Sequence, residues 1–149
     1  MKIQSLGHVV IKVRNRERAE KFYNEILGLP IVARLDPSGG VPVSMTFFSL
    51  GNHHDFAVME VGDEAESAPP RSPGLAHVAF KIGDTTDELR EAKAHLESHG
   101  IKPHPLDHEV TQSLYFDDPD GNNVELYVDT SDVWKRETQR VAQAKPLEL

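Results

Sequence analysis

The chain has 149 residues, which is enough for one compact domain with its own hydrophobic core, and it contains no cysteine. Disulfides, a thiol nucleophile and cysteine-ligated zinc are therefore excluded. Its 24 Asp and Glu residues outnumber its 16 Lys and Arg residues, and the net charge of -8 disfavours nucleic acid or an anionic membrane as a partner. No stretch reaches the ~20 apolar residues of a membrane span, and the first residues lack a signal-peptide core, so we expect a cytoplasmic protein.

The first half of the chain predicts one helix and four strands. An apolar run at 3–13 predicts the first strand. Asn15 and Gly28 are typical of the first and last boundaries of a helix, and apolar residues recur between them with helical spacing. Turn sequences at 37–40 and 51–52 separate the next three predicted strands, which are 31–35, 43–50 and 54–61.

The second half repeats this order of elements. A Pro-rich segment at 62–74 is typical of a linker, and a strand is predicted at 75–82. The capping-box sequence Thr85–Glu88 begins a helix that we expect to end near Gly100. The remaining predicted elements are strands at 101–104, 110–116 and 123–128 and a C-terminal helix at 131–144.

These elements predict an α+β fold in a single domain spanning 1–149. Two paired βαβββ modules, at about 3–61 and 75–128, are expected to form a cupped mixed sheet around one metal site. Such a repeat brings equivalent strands together, so that side chains at matching positions can converge.

The two modules carry ionisable residues that look equivalent. His8 and His77 each lie in the predicted first strand of a module, where they begin the repeated segments His-Val-Val-Ile-Lys-Val and His-Val-Ala-Phe-Lys-Ile. Glu60 and Glu125 each lie in the last strand. Imidazole and carboxylate are ligands of non-sulfur divalent metal sites, so the pattern predicts one metal site. The alternative is that each side chain faces water on a half-exposed strand.

Two longer motifs connect the chain with a known superfamily. They are Ala19-x-x-Phe22-Tyr23-x-x-x-Leu27-Gly28-Leu29 and Asp118-Pro119-Asp120-Gly121-Asn122-x-x-Glu125-Leu126-Tyr127. Over about residues 3–128 the sequence resembles the vicinal oxygen chelate superfamily. That superfamily includes glyoxalase I, epimerases, fosfomycin- and bleomycin-resistance proteins, and type I extradiol ring-cleaving dioxygenases. The resemblance implies paired βαβββ modules and, in the enzymes, a divalent metal in the cup.

Two further segments resemble the extradiol dioxygenases in particular. Asn52-His53-His54-Asp55 is similar to the stretch that bears their acid–base histidine, and His53 is predicted to face away from the cup. The segment from Asp107-His108-Glu109 to Ser113-Leu114-Tyr115 is similar to the stretch that bears a second active-site histidine and a tyrosine. The resemblance implies three metal ligands, His8, His77 and Glu125. It also implies that His54 is the acid–base residue and that His108 and Tyr115 contact the substrate or oxygen.

The favoured hypothesis is therefore an Fe(II)-dependent dioxygenase that cleaves a catechol-like aromatic diol with O2. Glu60 stands where glyoxalase I-like members place a fourth ligand, which would imply a lyase or isomerase with Zn, Ni, Co or Mn. A third hypothesis is a small-molecule-binding protein of the bleomycin-resistance kind, without turnover. The resemblance also implies a homodimer, because small members of the superfamily usually form one.

Overall fold

The computed structural model describes residues 1–38, 40–69 and 71–149. The chain divides into two compact units, Met1–Ser72 with Asp118–Asn122, and Pro73–Asp117 with Asn123–Leu149. Each unit contains one mixed sheet and its own helix, which confirms the α+β class and the repeated βαβββ order. Gly39 of the predicted turn and Pro70 of the predicted linker lie outside the described residues.

The first unit contains a four-stranded sheet. Its strands are β1 (Val9–Val13), β2 (Ile31–Leu35), β3 (Met45–Phe48) and β4 (Phe56–Glu60). Their spatial order is β1-β4-β3-β2. β1 runs parallel to β4, whereas β2–β3 and β3–β4 are antiparallel, and a helical crossover follows β1.

The helix of the first unit begins and ends close to the predicted residues. The Asn15 side chain accepts a hydrogen bond from the backbone N–H of Arg18 at 2.9 Å and caps α1 (Arg16–Glu20). The helix continues as a π-helical segment, Lys21–Ile26, which apolar spacing did not predict because it spans little more than one turn. Gly28 follows with φ +77°, a left-handed conformation that glycine adopts at low cost.

Aromatic side chains form the core of this unit. The buried ring of Tyr23 lies 4.8 Å from the ring of Phe56 and 6.1 Å from that of Phe48, measured between centroids. Its hydroxyl donates a hydrogen bond to Oδ2 of buried Asp118 at 2.9 Å. This interaction satisfies two polar groups that would be costly to bury unpaired.

The turn Asp118–Asn122 is organised by carboxylates. Oδ1 of Asp118 accepts two backbone N–H bonds from within the turn, each at 2.8 Å, so this prediction of a turn is confirmed. Oδ1 of Asp120 accepts hydrogen bonds from the guanidinium groups of Arg14 at 3.2 Å and Arg18 at 2.9 Å. These bonds explain why the turn belongs to the first compact unit although the strands on either side of it belong to the second.

The second unit contains a five-stranded sheet. Its strands are β5 (Val78–Gly83), β6 (His104–Asp107), β7 (Thr111–Asp117), β8 (Asn123–Asp129) and β9 (Lys145–Pro146). Their order is β5-β8-β7-β6-β9, with β5 parallel to β8 and the other pairs antiparallel. The apolar side chains of β8 are buried and form the centre of this unit.

The helix of the second unit, α2 (Thr86–Ser98), begins at the predicted capping box. The Thr85 hydroxyl accepts a hydrogen bond from the Glu88 N–H at 3.3 Å, and the Glu88 carboxylate accepts one from the Thr85 N–H at 2.9 Å. Leu89 and Leu96 form its buried face. Neither α2 nor any other helix among the described residues combines the length and apolar character that crossing a bilayer requires.

Several strand boundaries differ from the predictions, and those of β1 and β6 are instructive. β1 begins at Val9, whereas Ile3 and Leu6 of the predicted strand are exposed and unpaired with any strand of the described sheet. β6 occupies His104–Asp107, so it begins where the predicted strand was expected to end. Its position follows from its pairing with β7, a contact that the local sequence does not specify.

The predicted C-terminal helix is wrong. The segment contains two 3₁₀ turns, Val133–Lys135 and Thr138–Ala142, and then β9, which pairs with the edge of β6. The few apolar residues of this segment provide too small a face to stabilise a continuous helix.

Replacing Tyr23 with Phe keeps the aromatic core and removes the hydrogen bond to Asp118. We expect the free energy of unfolding to fall by about 1–3 kcal/mol, because the carboxylate stays buried with one donor fewer. Urea unfolding followed by circular dichroism measures this loss. Tyr127→Phe is the matched control because Tyr127 is only half-buried, and an equal loss in both variants would contradict the assigned role of the Tyr23 hydroxyl.

Candidate functional site

A buried carboxylate lies in β8, an interior strand of the second unit's sheet. Glu125 is only 7% exposed. Its Oε1 accepts a hydrogen bond from Oγ of Ser113 at 2.6 Å, and its Oε2 lies 3.1 Å from Nε2 of His77, the residue before β5. In the described part of the chain, no Lys or Arg forms an ion pair with Glu125. A carboxylate buried without a fixed cation is costly, so this pair is suited to binding a metal cation.

Tyr115 and His108 form a second pair in the same unit. Nδ1 of His108 lies 2.7 Å from the backbone oxygen of Gln143, and because a carbonyl only accepts, this nitrogen carries a proton. In neutral His108, Nε2 is then an acceptor, and the Tyr115 hydroxyl donates to it at 3.1 Å. Burial, followed by the charge of Glu125, raises the pKa of Tyr115 to about 12, so the phenol remains a proton donor at neutral pH.

The strand register places these groups on one face of the sheet. Glu125 pairs with Tyr115 of β7 on one side and with Ala79 of β5 on the other. Directly paired residues share a face, and residues two apart along a strand share it as well. Ser113 therefore lies on the face of Tyr115, which explains its contact with Glu125.

A cavity of about 460 Å³ opens on this face of the second unit. Its polar lining includes His108, Tyr115 and Glu125, and its apolar lining includes Trp134 and Val141 from the C-terminal segment. Titratable groups therefore meet an apolar wall in one concave site, which is the usual composition of a small-molecule site.

The first unit contains a cluster of histidine rings. The ring centroid of His8 lies 4.1 Å from that of His54, and the ring of His53 lies 4.6 Å from His54. The Nδ1 atoms of His53 and His54 are 2.8 Å apart, so one of them carries the proton and donates to the other. Both residues precede β4, so the strand alternation on which the orientation of His53 was predicted does not apply to them. That His53 faces away from the cup stays a prediction.

The pKa of His54 is lowered from its ordinary value. Partial burial is the main cause, and the neighbouring imidazoles of His8 and His53 disfavour a further positive charge. His54 is therefore neutral near pH 7, which is the form that accepts a proton.

The two modules do not match at the predicted carboxylates. In the second unit, Ala79, two residues after the module's first histidine, pairs with Glu125. In the first unit, Val10 is the corresponding residue and pairs with Ala57. Ala57 therefore occupies the position that Glu125 has in the second module, and the predicted equivalence of the two glutamates is wrong.

Glu60 has another structural role. It lies three residues beyond Ala57, so its side chain projects from the opposite face of β4. Its Oε2 accepts a hydrogen bond from the backbone N–H of Arg16 at 2.7 Å, at the positive N-terminal end of α1. The carboxylate thus stabilises a helix terminus.

The second unit therefore pairs His77 with Glu125 and His108 with Tyr115. The first unit pairs His8 with His54, while its Glu60 binds the backbone N–H of Arg16. Neither unit contains, among its described residues, a group of three His, Asp or Glu side chains placed to hold a metal. The His77–Glu125 pair supplies two donors of the type that Fe(II), Mn(II) and Zn(II) accept.

Several residues of the site were absent from the sequence prediction. Ser113 had a usable signal, because it lies two residues before Tyr115 in the same strand. Trp134 lies in the segment 131–144, which was predicted to be a helix, and Gln143 contributes only a backbone carbonyl, for which the sequence carries no signal.

A family model described as the glyoxalase/bleomycin resistance protein/dioxygenase superfamily matches residues 5–126. The catechol-2,3-dioxygenase of Bacillus subtilis strain 168 is 30% identical over 90% of this chain and 45% of its own length. The biphenyl-2,3-diol 1,2-dioxygenase 2 of Rhodococcus globerulus is 34% identical over 83% of this chain and 62% of its own length. The chain thus spans about half to two thirds of these relatives.

Solved structures show the same fold. A glyoxalase family protein from Enterococcus faecalis superimposes with a TM-score of 0.68 at 27% identity, covering 85% of this chain and 99% of that protein. Other matched relatives are named as lactoylglutathione lyases and as a glutathione transferase FosA. The similarity therefore supports several kinds of activity, and the site residues must distinguish between them.

We expect the folded protein to form little tyrosinate near pH 10. Burial raises the pKa of all three tyrosines, with added effects from the charges of Asp118 on Tyr23, Glu125 on Tyr115 and Asp129 on Tyr127. The unfolded chain loses these protons at about pH 10. The folded state then binds more protons, so the free energy of unfolding should fall as pH rises from about 10 towards 12.

Alkaline difference absorbance of native and urea-unfolded protein measures this shift. Coincident titration curves for the two states would contradict the burial of these hydroxyl groups.

Proposed function

The chain belongs to the glyoxalase/bleomycin resistance protein/dioxygenase superfamily, and from this membership we propose that it is an Fe(II)-dependent extradiol-type dioxygenase acting on a catechol-like aromatic diol and O2. The observation that carries the proposal is the contact of buried Glu125 with the more exposed His77, which lies beside the Tyr115–His108 pair. The names of the relatives from Bacillus subtilis and Rhodococcus globerulus, both dioxygenases of aromatic diols, support it.

The proposed metal ligands are His8, His77 and Glu125. Imidazole and carboxylate donors fit Fe(II), and they also fit Mn, Zn, Ni or Co. When bound, the metal would supply Lewis-acid and redox chemistry to the diol and oxygen. The main support for a metal at this site is Glu125. Its buried carboxylate has imidazole and hydroxyl partners but no Lys or Arg partner among the described residues.

A three-ligand set is favoured over the four-ligand set of a glyoxalase I-like enzyme. Glu60 projects from the other face of β4 and binds the Arg16 N–H, and Ala57 stands at the position equivalent to Glu125. With only three protein ligands, a bound Fe(II) would have positions left for the diol oxygens and O2.

The remaining residues are proposed to move and hold protons. Neutral His54 accepts a proton from a diol hydroxyl at a ring nitrogen and returns it later. The Tyr115 phenol stays protonated and is available as a hydrogen-bond donor, while His108 orients it through Nε2. The apolar side chains of the cavity would limit the contact of a bound diol with water. The cytoplasmic location and the homodimer stay predictions.

Reconstitution with Fe(II) under anaerobic conditions, followed by air and catechols, tests the proposed reaction. Wild-type protein should form the yellow ring-cleavage product. Glu125→Gln should lose at least about 100-fold in metal affinity, because it removes a ligand charge. Glu60→Gln is the matched control and should retain both iron and activity, since the amide oxygen can still accept from the Arg16 N–H.

Two other outcomes would contradict the proposed dioxygenase. No coloured product together with tightly bound Zn, Ni or Mn, and loss of that metal in Glu60→Gln, would support the four-ligand lyase or isomerase. Absence of metal binding altogether would support a binding protein without turnover.

The role of His54 is tested separately from metal binding. His54→Ala should keep iron and lower the rate of ring cleavage by about 10²- to 10⁴-fold, because proton transfer is lost. His53→Ala is the neighbouring control and should cause a much smaller decrease. Single-turnover rates and iron content measure the two effects, and normal cleavage by His54→Ala would show that the acid–base assignment is wrong.

A further inference from the structure

The cavity of the second unit extends along β8 away from the proposed metal ligand. Glu125, Tyr127 and Asp129 all line it, as expected for alternate residues of one strand. Four residues of strand separate Glu125 from Asp129, a distance of about 13 Å. A diol ring held at Glu125 would therefore leave much of this length for a substituent.

The size of the cavity also exceeds that of one ring. Its volume is about 460 Å³. A protein cavity of about 150 Å³ is sufficient to bind benzene. The space beyond a single diol ring is thus enough for a second group of similar size.

Two apolar side chains of the C-terminal segment are partly exposed to solvent at this cavity. Trp134 is 45% exposed and Val141 is 57% exposed, and both line the cavity together with Val110. A ligand in the cavity would cover apolar surface that is now in contact with water, which favours an apolar ligand group.

The C-terminal segment is fixed against the site. The backbone oxygen of Gln143 accepts a hydrogen bond from Nδ1 of His108 at 2.7 Å. Arg140 forms an ion pair with Glu109 at 3.1 Å, and β9 pairs with β6. These contacts hold Trp134 and Val141 at the cavity without a continuous helix.

The charges at the cavity disfavour an anionic substituent. None of the described residues that line it is Lys or Arg. The ammonium group of Lys81 lies 2.7 Å from Asp129 and 2.6 Å from Asp84, so this cation is already paired with two carboxylates. An anionic group near Asp129 would meet a net negative charge.

We propose that Trp134 and Val141 are specificity-determining residues, and that they select an uncharged aromatic diol whose apolar substituent is about the size of a second ring. The inference concerns binding by the cavity, and it rests on the proposed function only for the identity of the diol end.

Ligand binding to the full-length protein under anaerobic conditions tests this inference without turnover. Three probes differ only in the group beside the diol: catechol, 3-phenylcatechol and 2,3-dihydroxybenzoate. Isothermal titration should show 3-phenylcatechol binding at least about tenfold more tightly than catechol, and the carboxylate more weakly than catechol. Trp134 is the single tryptophan of the chain, so its fluorescence should change with 3-phenylcatechol.

Variants then identify the residues responsible. Trp134→Ala and Val141→Ala should each reduce the preference for 3-phenylcatechol over catechol, whereas Trp134→Phe should retain most of it. Val32→Ala removes an exposed apolar side chain from the first unit and should leave the preference unchanged. Circular dichroism checks that each variant is folded.

The outcomes separate this inference from the proposed function. Selective binding without ring cleavage after Fe(II) loading would support the cavity assignment and contradict the dioxygenase. Ring cleavage with equal binding of the three probes, or an unchanged preference in Trp134→Ala, would overturn the cavity assignment alone. Failure of all three probes to bind would overturn it as well.

Discussion

The burial of one charged side chain constrains the second unit. Glu125 lies in β8, between β5 and β7, where its apolar strand neighbours are buried. A carboxylate in this position needs donors or a cation, and the imidazole of His77 and the hydroxyl of Ser113 meet part of that need. The same charge helps to keep the Tyr115 phenol protonated, and that phenol is oriented by His108. His108 in turn helps to hold the C-terminal segment, through its bond to the Gln143 carbonyl.

The repeated fold supports two different modules. Both have the order βαβββ and a parallel pairing of first and last strands. The second module carries a buried carboxylate at one position of that pairing, and the first carries Ala57 there. In the first module, Glu60 instead binds a helix terminus, and His8 and His54 form part of a histidine cluster. Divergence at these few positions changes the chemistry while the hydrogen-bonded frame stays the same.

Because a few positions can change while the fold stays the same, membership of the superfamily alone does not identify the activity. Relatives with the same fold are named as dioxygenases, as lactoylglutathione lyases and as a glutathione transferase. The differences between such activities lie in the number of metal ligands, in the groups that transfer protons and in the walls of the cavity. In this protein, the position of Glu60, the neutral His54 and the apolar side chain of Trp134 all favour the proposed dioxygenase.

The sequence by itself determined the α+β class, the two βαβββ modules, the helix caps at Asn15 and Thr85, and the turn at 118–122. These features depend on residues close together in the chain or on a repeated pattern, and both can be identified without coordinates. Only the tertiary structure decided that Glu60 and Glu125 are not equivalent, that residues 131–144 form no helix, and that Trp134 lines a cavity. Each of these depends on strand register or on contacts between distant residues, because a shift of one residue in pairing moves every side chain of a strand to the other face.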